Sequence, residues 1–163
     1  MRVGLGGHIH RSVFRKYPKN ALSAQEAIAK MNPEYAGLAA IVRGQVPEKY
    51  RMTLAHECRY QGRRFVHVSL MDDAMDDAMD DSHTMSLVIT RETSDESFTT
   101  EGALPALIQS GIPMYQAGVQ RFQLTAFETP GYLVYFVSDL PKNQNTNLML
   151  AIGPRVRDFL EAL

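Results

Sequence analysis

Residues 50–70 read "YRMTLAHECRYQGRRFVHVSL", and the way this stretch folds back on itself at "YQG" decides the architecture. Met52, Leu54, His56 and Cys58 alternate along its first half, and Val66, Val68 and Leu70 along its second, the period of two expected of half-buried strands. The two strands make a hairpin. For both sets to share one buried face, residue numbers paired across it must sum to an even value. A three-residue loop, Tyr60-Gln61-Gly62, with Gly62 in the left-handed position, meets that condition. This register places His56 opposite Val66 and Cys58 opposite Arg64. It turns His67 to the other face, opposite Ala55 and away from His56 and Cys58.

Working outward toward the N-terminus, Ser23 and Glu26 form an S-x-x-E capping box, which predicts a short helix over Ala24 to Met31. Asn32-Pro33 starts a second helix, carried by Tyr35, Leu38, Ala39 and Val42 and ended near Gly44. Ahead of both, Val3 to Phe14 reads as a strand containing "GGHIHRS". Toward the C-terminus, "TMSLVITRE" (Thr84 to Glu92) is a strand, and Leu104 to Ser110 is expected to be a short helix stopped by Gly111. "VQRFQLTAFETPGYLVYFVSDL" is a hairpin turning at Thr129-Pro130-Gly131, whose second strand is apolar on both faces and so central in the sheet. A final helix carries Leu148, Ile152, Val156, Phe159 and Leu163, broken or kinked at Gly153-Pro154. The sum is a single α+β domain over residues 1–163: an antiparallel sheet of about six strands with helices packed on one face.

A chain of 163 residues is long enough to bury a core without disulfides or a structural metal, and its one cysteine allows no internal bridge. The net charge of -1 removes the electrostatic case for a nucleic-acid partner. It conceals a local excess, because six aspartates are packed into "MDDAMDDAMDD" and the remainder is mildly basic. That repeat, at 72–83, reads as a mobile acidic hairpin loop; it lacks the glycine and closing glutamate of an EF-hand calcium loop. Arg51, Arg59, Arg63 and Arg64 gather on the central hairpin as a solvated face or a contact for an anionic partner. No apolar signal region or membrane-length stretch is visible. The expectation is a soluble protein, cytoplasmic if this is the full gene product.

Two short motifs carry the candidate chemistry. His8 with His10, and His56 with Cys58, each present two side chains to one side of a strand about 7 Å apart. If the N-terminal strand pairs with the strand at 50–60, His8, His10, His56 and Cys58 converge as a metal site, and a His3Cys set suits zinc or copper. The competing reading is core packing, since free cysteine is a common buried filler. A nucleophilic Cys58 is a third, helped by Arg64 if it faces the thiol. No nucleophile elbow, phosphate-binding glycine loop, dinucleotide fingerprint or zinc-protease helix is present, so no catalytic residue is assigned. Tyr115, Phe122, Phe127, Tyr132, Tyr135 and Phe136 read as core aromatics.

In order along the chain, "GHIHRSVFRKYPKN", "PEYAGL", "YRMTLAHECRYQGRRFVHVSL", "SLVITR", "AGVQRFQLTAFETPGYLVYFVSDLP" and "RVRDFL" resemble the C-terminal, sensor-side domain of bacterial membrane-bound zinc-finger anti-sigma factors. The resemblance runs from about His8 to Leu160. It implies a non-enzymatic sensory or regulatory domain, extracytoplasmic if the chain is a fragment of such a regulator, with a protein partner or small ligand of unknown identity. The zinc-finger part and the membrane helix of the family are lacking, so sigma binding is carried to no residue here. Two departures stand out: Arg11 lies where the family often has a cysteine, and the "DDAM" repeat lengthens a loop that is usually short. The alternatives are a small metal- or thiol-dependent enzyme using the same cluster, and an interaction module with no ligand.

Overall fold

The computed structural model describes residues 21–60, 62–72, 83–93, 96–98 and 104–163. The expected strand at 3–14, with His8 and His10, and the aspartate-rich repeat within 73–82 lie outside the described residues. The described part is an α+β fold. Its elements are α1 (Ala24–Lys30), a 3-10 turn (Pro33–Tyr35), α2 (Gly37–Gln45), β1 (Tyr50–Tyr60), β2 (Arg63–Asp72), β3 (Thr84–Arg91), β4 (Leu107–Gln109), β5 (Ile112–Val119), β6 (Phe122–Thr129), β7 (Tyr132–Ser138) and α3 (Lys142–Glu161). The strands form an antiparallel sheet in the order β1-β2-β3-β7-β6-β5-β4. As expected, β7 is central and buried along its whole length. Among the described residues, no helix is long and apolar enough to cross a membrane.

Local chemistry sets the helix boundaries. The Ser23 hydroxyl accepts the Glu26 N–H at 3.2 Å while the Glu26 carboxylate accepts the Ser23 N–H at 2.8 Å, closing the capping box. Asn32 caps only a 3-10 turn before α2 begins, so the single helix expected from Pro33 is split. The helices share one face of the sheet. Leu38, Val42, Met149, Ile152 and Val156 are buried there against Val68, Leu87, Val134 and Phe136.

Three expectations are corrected. The segment expected as a helix at Leu104 to Ser110 contains β4, which turns into β5 through Ser110 (φ 51) and Gly111 (φ 74), a pair of positive φ values that matches strand twist. The sheet therefore has seven strands among the described residues, β4 and β5 being the ones the sequence concealed. Pro113, inside β5, precedes the first β5–β6 pair, Tyr115 with Ala126, so β6 draws no hydrogen bond from it. Finally, α3 runs unbroken through Gly153-Pro154. A Cβ on Gly153 would come within 3.1 Å of Met114 and 3.4 Å of Phe127, so the glycine serves close helix-to-sheet approach.

A buried polar knot fixes α3 on the sheet. Asn145, fully buried, accepts from the Thr125 hydroxyl at 2.7 Å and donates to the Ser138 hydroxyl at 2.8 Å and the Gln123 carbonyl at 3.2 Å. Removing the amide strands several buried partners at once. Asn145→Ala is expected to lower the unfolding free energy by about 2–4 kcal/mol in urea denaturation with an unchanged m-value, against about 1 kcal/mol or less for the half-exposed Gln116→Ala.

Candidate functional site

The β1–β2 hairpin turns in two residues, not three. Tyr60 pairs with Arg63, and Gly62 takes φ 78 in the loop between them. His56 therefore pairs with His67, and Cys58 with Phe65. The parity condition failed because the strand faces do not stay in phase: the register shifts between Met52 and Leu54, leaving Thr53 as the extra residue of a bulge. Met52 keeps its place toward the helices opposite Leu70. Leu54, His56 and Cys58 are moved to the other face of the sheet.

That second face has its own apolar cluster, including Phe65, Val88, Leu124, Tyr135 and Val137, with Phe98 packed on Tyr115 and Tyr135. All six aromatics expected in the core are buried, divided between the two faces. At the β1 side of the second face, the ligand atoms of His56, Cys58 and His67 lie within 4.8 Å of one another. Cys58 Sγ is 3.5 Å from His67 Nε2, and the two imidazoles meet edge to face with centroids 5.3 Å apart. His67, excluded on the sequence register, is thus the central member. Of the four expected ligands, the structure brings His56 and Cys58 together; His8 and His10 lie outside the described residues.

The three side chains differ in surroundings. His67 has zero exposure, sitting between His56 on β1 and Val88 on β3. The neighbouring row is closed by a 2.7 Å hydrogen bond between the Ser69 and Ser86 hydroxyls. His56 and Cys58 are half-buried. Burial lowers the His56 pKa and raises that of the Cys58 thiol. Arg64 does not face the thiol; it pairs with Arg59, whose side chain points to the opposite face from Cys58, so the expected electrostatic activation is missing. A protonated thiol beside a neutral imidazole is a resting ligand pair, not an activated nucleophile.

The distances suit a soft ion. In a tetrahedral zinc site, Zn–S of about 2.3 Å and Zn–N of about 2.0–2.1 Å put sulfur and nitrogen about 3.6 Å apart. The Cys58–His67 separation is already there, although a thiol–imidazole hydrogen bond has a similar length. The remaining separations, none above 4.8 Å, exceed a tetrahedral edge by at most about 1–1.5 Å, within reach of side-chain rotation. No protein-family model matches the chain, and neither a curated protein nor a solved structure matches it.

Two outcomes follow from the burial. Cys58 is expected to react with iodoacetamide roughly tenfold or more slowly in the folded protein than in urea, measured by mass spectrometry near neutral pH. Because the folded His56 pKa lies below the ordinary value of about 6.5, the unfolded chain takes up its proton first as pH falls. His56 thus gives stability that is present above about pH 6.5 and lost as pH falls through the depressed folded value. His56→Gln is expected to flatten the fall in unfolding free energy between about pH 7 and 5.

Proposed function

We propose that this domain is a non-enzymatic sensory or regulatory module, of the kind found on the sensor side of anti-sigma factors, whose input is a soft metal ion held by His56, Cys58 and His67. The observation that carries the reading is the convergence of two imidazoles and one thiol across a single strand pair. Sulfur and imidazole nitrogen together favour zinc or copper over hard cations such as magnesium and calcium. The regulatory part rests on the sequence blocks that resemble the anti-sigma domain. An enzyme using the same residues is disfavoured because burial raises the Cys58 pKa and, among the described residues, no carboxylate joins the cluster to move protons. Direct redox sensing through Cys58 is disfavoured for the same reason, since oxidation begins from an accessible thiolate.

Binding an ion here requires loss of the thiol proton. With the Cys58 pKa raised and His56 held neutral, the apparent affinity is expected to rise by up to about tenfold per pH unit across the neutral range, the thiol being the group that titrates. Elemental analysis of untagged protein titrated with zinc or with copper(I), competed against a chelator, should give one ion per chain and a raised Tm. Cys58→Ser and His56→Gln should each weaken binding by at least about tenfold. Occupancy below about 0.1 per chain together with an unchanged Tm would remove the metal reading. The His8→Ala/His10→Ala variant tests the N-terminal pair: weaker binding is expected if it completes the set, and unchanged binding confines the site to the β1–β2 hairpin.

A further inference from the structure

The same hairpin carries a row of arginines on its other face, the one turned toward the helices. Arg59 and Arg64 are direct partners across β1 and β2. Arg91 follows Thr90, the partner of Phe65, and itself pairs with Tyr132 on β7. Three arginines therefore occupy one row across three adjacent strands. Like charges placed directly opposite on antiparallel strands destabilise the pairing. Of the carboxylates around the row, Glu34 pairs with its outer member Arg91 at 3.2 Å, while Glu57 accepts the Asn32 N–H at 2.9 Å and Glu96 pairs with Arg63. Arg59 and Arg64 are exposed, and among the described residues no carboxylate lies within ion-pair distance of either guanidinium.

Arg64 stands between two clefts. One, of about 390 Å³, has Val66 and Ile89 in its lining with Tyr35 and Tyr132; Glu34, Glu92 and Arg91 complete the strand-end side. The other, of about 260 Å³, is lined by Asn32, Glu57, Cys58 and Arg59. An anionic head placed between Arg59 and Arg64 would have an apolar and aromatic recess beside it.

We propose that this row binds an organic phosphate, a phosphate monoester with a small apolar or aromatic body, on the sheet face opposite His56 and His67. A carboxylate has two oxygens and is satisfied by one guanidinium fork. A phosphate monoester presents three terminal oxygens and close to two negative charges, which match two forks approaching from adjacent strands. The anion also removes the repulsion between Arg59 and Arg64, so binding and strand pairing reinforce each other. Val66, Ile89 and the Tyr35–Tyr132 pair then take the body of the ester.

Calorimetry of the full chain with phenyl phosphate at constant ionic strength tests the proposal, with inorganic phosphate and benzoate as comparison probes. Saturable one-to-one binding of phenyl phosphate is expected, with benzoate on the order of tenfold weaker. Arg59→Gln and Arg64→Gln should each weaken it by about tenfold or more, while Arg121→Gln, an exposed arginine at the β5–β6 turn outside both clefts, leaves it unchanged. Without ligand, Arg64→Gln should keep or raise the Tm, because a like-charge contact has been removed. Absence of saturable binding, benzoate as tight as phenyl phosphate, or a lowered Tm in Arg64→Gln would each overturn the proposal. Inorganic phosphate binding as tightly as the ester would assign the row to free phosphate and overturn the ester.

Discussion

The register of the β1–β2 hairpin is the constraint on which the rest depends. It is set at two points: the two-residue loop, with Gly62 at positive φ, and the extra residue at Thr53. Between them, alternation sends Ala55 and Glu57 toward the helices and His56 and Cys58 away from them. A uniform three-residue loop without the bulge would keep Met52 and Cys58 on one face and separate His67 from both. The observed combination lets one strand complete the helix-side core through Met52 and Ala55 while supplying two ligand-type side chains to the opposite face. The arginine row follows from the same alternation, since Arg59 and Arg64 are the next pair after Cys58 and Phe65.

Much of the architecture was legible because the signals were local. The Ser23–Glu26 box, the doubly apolar run of β7 and the turn expected at Thr129-Pro130-Gly131 each name an element within a few residues, and each is present, the turn narrowed to Pro130-Gly131 because Thr129 pairs with Tyr132. The misreadings share a cause: a residue with two structural uses was assigned the commoner one. Gly111 serves helix ends and turns alike, and here it completes a turn with Ser110. Gly153-Pro154 breaks many helices, yet α3 continues through it, and here Gly153 brings α3 close to Met114 and Phe127.

The site was half legible. His56 and Cys58 could be singled out as a same-face pair from spacing alone, and they are one. Their companion could not be chosen without the register, and the register turned on a bulge that no glycine marks. Thr53 is a β-branched residue with ordinary strand propensity, so nothing in "RMTLA" announces the extra position. The residue pair Gln61-Gly62 was the available clue, because an X-Gly dipeptide between two alternating runs is as good a two-residue turn as a longer bulged loop. Choosing it would have set His67 beside His56 at once.

The placement of the three ligand-type residues has a consequence for how an ion could act. His67 lies on an inner strand, fully buried between two neighbours. His56 and Cys58 lie on β1, the terminal strand of the sheet among the described residues. An outer strand opens locally at a smaller free-energy cost than the strands inside it. An ion bridging β1 to β2 would bind the closed arrangement and not the open one, adding about 2.7 kcal/mol to strand closure at a hundredfold excess over Kd. If the three residues hold an ion as proposed, the ligand set would be divided between an inner and an outer strand, and that division would let binding favour the paired arrangement, because an ion held by one strand alone would have no differential affinity to exert. Glu57, between the two ligand residues on β1, holds the Asn32 N–H at the entry to the 3-10 turn. With the Arg43 guanidinium of α2 donating to the Tyr50 carbonyl at 3.0 Å, this bond couples the pairing of β1 to the helix layer.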